Sequence, residues 1–456
     1  MIPELNAPIF LLSVGLILHE LIYFADQGVS HFTDDLAPVF GLHLKPSMRM
    51  AAHLILCSAA LSMNFPDVRA AAAPVTLFAL SVVILSFPRR LANHLLVAWF
   101  MLLAITFIGI LRSDECGVRV FFSMLTLLIF FLAGFHKLNR AYLAPRTSAA
   151  LALVIWYLIQ RGFVWGVGAI MRLRWIIVVS AVVAELAVPA LVLAPATAII
   201  GILTALTLVF VFGCLGHAHF AVIMMAGLSA MMPAPVQLCS PLSVGVEFSA
   251  VFAAMALGNS RAYRARYLML TNYAAFGACA GHVLVRLITY SRAGSSLHVL
   301  ADGLPVTGWL LLALFLVNGL APYLGVKLDA TMAMFSNIRP DERTHLIVRR
   351  PLKLLMPRYY LRPEPGHHTD LADDARRVFE SLFTGPTDEV YSAYYLRESV
   401  RLLSAANRSP VALTASDVGT GAPVEFSGGP AAGGAPWPER TAFFPCRMPL
   451  DQPYCA

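Results

Sequence analysis

The sequence predicts an all-α integral membrane helical bundle, with about 9–12 transmembrane or re-entrant helices and a small C-terminal soluble tail of mixed α/β character. Two observations carry this prediction. Hydrophobic residues make up 58% of the chain and charged residues only 13%, whereas soluble domains are about a quarter charged. The apolar residues also recur in runs of about 17–22, the length that crosses a hydrocarbon layer about 30 Å thick. Water is therefore not the main solvent for most of this chain.

The apolar runs divide the first part of the chain into candidate spans. The first follows the leader MIPELNAP, which carries Glu4 but no lysine or arginine, so we expect a retained span rather than a cleaved signal peptide. After the last run the composition becomes amphipathic and basic. We place a transmembrane domain at 1–336, and a membrane-surface segment with a small soluble tail at 337–456. The candidate spans are approximately 8–24, 50–64, 71–87, 95–111, 119–136, 175–194, 196–213, 217–232, 242–258, 268–289 and 307–325.

The stretch 148–166 is also apolar, but Arg161, Arg172 and Arg174 surround its end. We predict an interfacial or re-entrant helix there, with a further span as the alternative. The first choice gathers the basic loops on one side of the membrane, which the positive-inside rule makes cytoplasmic. The C-terminal tail then lies in the cytoplasm as well. A further span would move these arginines across the membrane relative to Lys137.

The net charge of +7 does not indicate nucleic-acid binding, because the basic residues are scattered through short loops. The expected partner is the lipid bilayer, together with a peptide or small-molecule substrate. Among the seven cysteines, Cys116 and Cys239 fall on the same, non-cytoplasmic side. They form a disulfide or remain two thiols, depending on the compartment.

Ionisable residues inside apolar spans are costly and are therefore candidates for function, although many only tie helices together. Lys137 closes the run FFSMLTLLIFFLAGFHK. Burial disfavours the charged form of a lysine and makes it a usable general base, and the alternative is a lysine that reaches the headgroups. Glu185 lies in SAVVAELAVPALVLAP and must be protonated or paired, with Lys137, Arg286 or a histidine as the partner. The other ionisable residues in spans are His19, Glu20, His53, His217, His219, Glu247, His282 and Arg286.

The apolar stretch 196–232 is too long for one helix, and Gly213 and Gly216 interrupt it. Non-helical backbone at membrane depth is tolerated only inside protein or beside a water-filled cavity, so a break here points to a site. His217 and His219 lie next to it, but residues two apart point to nearly opposite sides of a regular helix. Metal binding would need the broken geometry and a further ligand, and no metal is predicted.

The segment FFLAGFHKLNRAYL resembles the vitamin K-dependent gamma-carboxylases and their bacterial relatives with the horizontally transferred transmembrane (HTTM) domain. In that family an apolar span ends in A-G-x-K-K-L, and here His136 stands in place of the first lysine of the pair. Further similar segments are AELAVPALVL with Glu185, GHAHFAVIM, and NGLAPYLGVKLDATMAMFSNIR near the end of the membrane domain. The resemblance covers much of 8–345.

The resemblance implies that Lys137 is the base that deprotonates a reduced lipophilic quinone similar to vitamin K hydroquinone. Oxygen and carbon dioxide would be the co-substrates, because oxygenation of that quinone yields a strong base that removes a gamma proton from a glutamate. His136, Glu185, His217 and His219 are the further candidate catalytic residues, which would orient groups or relay protons.

Three functions remain open at this point. The first is a carboxylase- or oxygenase-like membrane enzyme that depends on a lipophilic quinone and a lysine base. The second is a non-enzymatic membrane component, a transporter or assembly partner, in which the same charges pair between helices. The third is a DoxX-like quinone-linked redox subunit, which is disfavoured because the sequence has no haem, flavin or iron–sulfur pattern.

Overall fold

The computed structural model describes residues 5–27, 42, 44–86, 93–145, 148–232, 241–258, 266–292, 303–324 and 345–348, and short parts of the tail between 361 and 449. Eight helices among these residues are long and apolar enough to cross a membrane. The chain is therefore a multi-pass membrane protein with a helical bundle, which confirms the class predicted from the sequence.

Three irregular turns interrupt the described helices: π-helical turns at Ile105–Ile110 and Gly213–His217, and a 3₁₀ turn at Pro195–Thr197. The α-helices are α1 (Asn6–Gln27), α2 (Pro46–Ser62), α3 (Pro66–Ser86), α4 (Asn93–Ala104), α5 (Glu115–His136), α6 (Arg140–Leu143), α7 (Ala149–Gln160), α8 (Val164–Arg172), α9 (Arg174–Leu193), α10 (Ala198–Phe212), α11 (Ala218–Ala230), α12 (Pro241–Leu257), α13 (Arg266–Arg292) and α14 (Val306–Leu324).

The predicted range of about 9–12 also counted re-entrant helices, so the eight long apolar helices among the described residues do not exclude it. Helices α2 and α12 match the runs at 50–64 and 242–258 and have 17 residues each, the lower limit for a crossing, and they pack along their longer neighbours α3 and α13. The stretch 148–166 folds into α7 and the start of α8, which have 12 and 9 residues. Neither is long enough to cross about 30 Å of hydrocarbon, as expected for an interfacial or re-entrant segment.

The surface of the described bundle is apolar where it faces outward. Phe78 on α3, Val183 on α9 and Phe248 on α12 are 71%, 57% and 72% exposed. Large apolar side chains in such positions suit a hydrocarbon solvent, whereas a soluble protein would hold them inside.

Helix α11 lies at the centre of the bundle. All thirteen of its residues are buried, and it packs against α1, α5, α10 and α13. Small residues allow this close approach: a Cβ atom at Gly15 of α1 would lie 2.5 Å from Ile223 Cγ1, and one at Gly227 would overlap the hydroxyl of Thr126 on α5. The segment next to the predicted break is therefore fully enclosed by the described part of the bundle.

We expect the substitution Gly227→Ala to destabilise the bundle by about 1–3 kcal/mol, because the added methyl group must displace Thr126 or separate α11 from α5. Thermal unfolding of the purified protein in detergent measures the effect. Gly245→Ala is the matched control, since nothing lies within 4 Å of a Cβ at that helical position. Equal melting temperatures for the two variants would contradict the tight contact.

The tail contains a five-stranded antiparallel sheet in the order β4-β3-β1-β2-β5. Its longest pairing runs from Val411 opposite Gly428 to Ser416 opposite Pro423. Helical residues between 396 and 407 precede β3, in keeping with a tail of mixed character. The predicted domain boundary at residue 336 lies outside the described residues. The strands are β1 (Leu361–Pro363), β2 (Glu389–Tyr391), β3 (Val411–Asp417), β4 (Pro423–Gly428) and β5 (Arg447–Pro449).

Candidate functional site

A buried ion pair joins the end of α5 to the middle of α9. The Nζ atom of Lys137, the residue that follows α5, donates to both carboxylate oxygens of Glu185 at 2.6 Å. Each side chain is only 4% exposed. The two helices can meet this closely because Gly134 has no side chain. A Cβ atom there would lie 2.8 Å from Leu186 Cγ. Of the three partners that the sequence left open for Glu185, the structure therefore selects Lys137.

Tyr142 on the short helix α6 completes the surroundings of this pair. Its ring centroid lies 5.9 Å from Lys137 Nζ, within the range of a cation–π contact. Its hydroxyl is buried and has no hydrogen-bond partner among the described residues. Burial, and then the charge of Glu185, raise the pKa of this hydroxyl, so it is held protonated beside the carboxylate. Nothing in the sequence singles out Tyr142, because only the fold returns α6 to Lys137.

The pair opens on a small cavity. Its volume is about 30 Å³, room for about one water molecule. Asn93 of α4 is the third polar residue in its lining, and the other side chains, which include Phe130, Phe212 and Phe220, are apolar. Lys137 and Glu185 are thus separated from bulk water by hydrocarbon side chains.

A second polar group lies at the junction of α1, α4 and α11. His19, His94 and His219 are all buried, and one ring nitrogen from each falls within 4.8 Å of the other two. His94 Nε2 and His19 Nδ1 are 2.6 Å apart and share a hydrogen bond. The ring centroids of His94 and His219 are 4.1 Å apart. We call these three residues the histidine cluster.

The predicted break in the long apolar stretch directs the side chain of His219 towards this cluster. The π-helical turn Gly213–His217 contains Gly216 with φ 118°, a left-handed conformation that glycine adopts without strain. His94 lies just before the predicted span 95–111 and belongs to no motif, so the sequence gives no sign of it.

The structure does not bring all five predicted site residues together. Lys137 and Glu185 share one cavity, and His219 belongs to the histidine cluster. His136 Nδ1 instead lies 2.9 Å from the hydroxyl of Tyr323 on α14. The ring of His217 lies 6.4 Å from that of His219 and is not one of the three clustered rings. The two polar centres are nevertheless neighbours, since Asn93 and Phe220 line the cavity and directly adjoin two of the clustered histidines.

Residues 345–348 pack against the end of helix α5, beside Lys137. His345 Nε2 donates to the carbonyl of Phe135 at 2.9 Å, and its Nδ1 accepts from the amide of Val348 at 2.9 Å. The amide of Leu346 donates to the carbonyl of Leu138 at 2.8 Å. The imidazole is therefore neutral in this arrangement, and it ties the segment to the end of α5.

We expect this attachment to weaken on acidification. Burial lowers the pKa of His345, so the unfolded chain binds the proton more strongly and the contact loses stability as the pH falls below about 6.5. Protonation also removes the lone pair that accepts from Val348. Hydrogen exchange of the Leu346 amide, corrected for intrinsic rates, should show lower protection at about pH 5.5 than at about pH 7.5. A His345→Asn variant should lack this pH dependence, and equal protection in the wild type at both pH values would contradict the mechanism.

Comparison of the chain with known protein families, curated proteins and solved structures finds no match. Cys239 lies outside the described residues, and its disulfide with Cys116 stays a prediction.

Proposed function

We propose that this chain is a membrane enzyme in which Lys137 acts as general base on a lipid-soluble substrate and Glu185 exchanges the proton of that base. The observation that carries the proposal is the desolvated Lys137–Glu185 pair, which faces an apolar cavity. Catalytic bases are commonly found where burial and a specific charged partner perturb a titratable group.

The proton can be followed through the pair. The ammonium of Lys137 first passes a proton to the carboxylate of Glu185 across their 2.6 Å hydrogen bond, which leaves a neutral amine and a neutral acid. Low dielectric favours such a neutral pair, because both charges have lost their hydration. The amine then accepts a proton from the substrate, so that the products are an ammonium, a carboxylic acid and the substrate anion. Tyr142 and the phenylalanine side chains exclude water from this exchange.

A reduced lipophilic quinone is the substrate class implied by the resemblance. The apolar lining suits such a ligand in its chemistry, but a volume of about 30 Å³ does not hold its ring. A groove of about 650 Å³ lies on the other side of α10, lined by Leu206 and Phe210 together with residues of α12 and α13. Its size matches that of sites for drug-sized ligands. Val209 and Phe212 of the same helix line the small cavity, so α10 is the wall between groove and base.

Turnover of a reduced naphthoquinone by the purified protein in lipid nanodiscs tests this proposal. We expect oxygen consumption that depends on the quinol and on the protein, with an oxygenated quinone product identified by mass spectrometry. Gly168→Ala on α8 should retain the rate, because a Cβ at Gly168 has nothing within 4 Å and the residue lines neither the cavity nor the groove. The quinone class is refuted if the wild-type protein neither binds nor turns over the quinol.

A second function is favoured by the small size of the cavity. A bidentate buried pair between α5 and α9, beside room for about one water molecule, also suits an interhelical tie in a non-enzymatic transporter or assembly partner. Polar contacts of this kind are used to fix helix pairs in membranes. Variants that remove the Lys137–Glu185 pair separate the two functions, because only the enzyme loses turnover.

A further inference from the structure

We propose that His19, His94 and His219 bind a divalent transition-metal ion of the Zn²⁺ class inside the bundle. This site is distinct from the Lys137–Glu185 pair, and its existence does not depend on the function proposed above. It also revises the expectation from the sequence that no metal is bound, because the structure supplies the two conditions that were missing: a broken helix at Gly216 and two further ligands.

The distances in the cluster suit a shared ion after a small adjustment. The three candidate ligand nitrogens lie within 4.8 Å of one another. In tetrahedral coordination with Zn–N bonds of about 2.0–2.1 Å, two nitrogens lie about 3.3 Å apart. The 2.6 Å contact between His94 and His19 must therefore widen by less than an ångström, and the longest separation, at most 4.8 Å, must shorten by up to about 1.5 Å. The ligands come from three different helices, so their positions are fixed by the packed core.

The chemistry of the cluster favours a cation over a purely polar network. A neutral imidazole has one N–H and one lone pair, and the lone pair is what a metal requires. The hydrogen bond between His94 and His19 uses one of each, whereas Nδ1 of His219 is buried without a hydrogen-bond partner in the described part of the chain. Buried polar atoms are normally paired, and an exception needs an explanation such as an ion.

A carboxylate also lies near the cluster. Glu20 Oε1 is 3.9 Å from His19 Nε2, on the opposite side of the ring from the Nδ1 atom that faces His94, and this separation must shorten for a hydrogen bond to form. The other carboxylate oxygen lies 2.7 Å from His53 Nδ1. Histidine ligands commonly direct their second nitrogen to a carboxylate, which orients the ring and increases its basicity. Here the negative charge would also offset part of the charge of a dication in a medium of low dielectric.

Three protein ligands leave one coordination position open. Structural zinc sites are usually closed by four protein ligands, whereas catalytic sites have three and keep the fourth for water or substrate. Among the described residues the histidine cluster supplies three ligands, as a catalytic site does. The cavity that is lined by Asn93 and Phe220 is next to it. A bound ion could therefore act as a Lewis acid in the same bundle as Lys137.

Metal binding by the full chain tests the proposal. The protein is purified through a tag without histidine, stripped with a chelator in detergent, and titrated with Zn²⁺. We expect one equivalent per chain by elemental analysis, a higher melting temperature with Zn²⁺, and a four-coordinate ligand-field spectrum with Co²⁺. His94→Gln and His219→Gln should lose all three signals. Glu20→Gln should weaken binding by about 10–100-fold.

His282→Gln is the matched control, because this histidine is near Glu247, with 3.7 Å between His282 Nδ1 and Glu247 Oε1, and is outside the cluster. It should bind Zn²⁺ as the wild type does. The site would be overturned if the wild type did not bind Zn²⁺ stoichiometrically, or if His94→Gln and His219→Gln bound it as well as the wild type does. If a cluster variant fails to fold, X-ray absorption of the Zn²⁺-loaded wild type decides: three imidazoles support the site, and fewer imidazoles or any sulfur ligand refute it.

Discussion

The double variant Lys137→Met/Glu185→Leu is expected to fold and to lose quinol turnover by about 10²–10⁴-fold, the usual contribution of a positioned general base. Methionine and leucine approximate the shapes of the residues they replace. Replacing a buried ion pair by apolar groups of similar volume is commonly neutral or stabilising, so loss of the rate could not be attributed to misfolding. The measurement compares quinol-dependent oxygen consumption with the melting temperature of the same preparation.

The control for this experiment is Val183→Leu on the same helix α9. Val183 is 57% exposed on the outer surface, and Glu185 is 3% exposed, so only one of the two positions faces the core. The control should retain both rate and stability. A double variant that is folded and fully active would remove Lys137 from the chemistry and favour the non-enzymatic function.

Glu185→Leu alone is expected to lower the free energy of unfolding by about 3–5 kcal/mol. This change leaves the ammonium of Lys137 buried without its 2.6 Å partner, and an uncompensated charge in a dry interior is far more costly than a missing pair. Denaturant or thermal unfolding in detergent gives the value, and the two single variants with the double variant complete a thermodynamic cycle.

The cycle should give a large coupling energy, with the double variant more stable than either single variant. Additive losses across the cycle would show that the two side chains do not interact as described. A large coupling without any substrate turnover in the wild type would instead identify the pair as an interhelical tie.

The sequence predicted the class of the fold well because hydropathy is a local property. Runs such as the one at 119–136 and the one at 175–194 have the length of a membrane crossing, and they became α5 and α9 within a few residues of their predicted ends. The break near Gly216 could also be predicted, because two glycines interrupt an apolar stretch longer than one helix. Runs near the limiting length are harder to assign from the sequence, and α2 and α12, with 17 residues each, stand at the lower limit for a crossing.

The sequence alone identified only part of the candidate site. Lys137 and Glu185 stand out because a charge in an apolar run is costly wherever the run is placed. Their pairing was left open, since it depends on the contact of α5 with α9 through Gly134. The sequence also made His136, next to Lys137, a candidate catalytic residue, yet adjacent residues on a helix point in different directions, and its ring contacts Tyr323 instead.

The sequence by itself determined that this protein lies in a membrane and that a lysine, a glutamate and a broken helix mark its interior. Only the tertiary structure decided that Lys137 meets Glu185 and that His19, His94 and His219 converge. The physical reason is that apolarity and helix-breaking glycines act within a single segment, whereas a pair or a cluster depends on which faces of distant helices pack together. His19 and His94 belong to separate segments of ordinary composition, and the position of α11 between α1 and α4 is what joins them to His219.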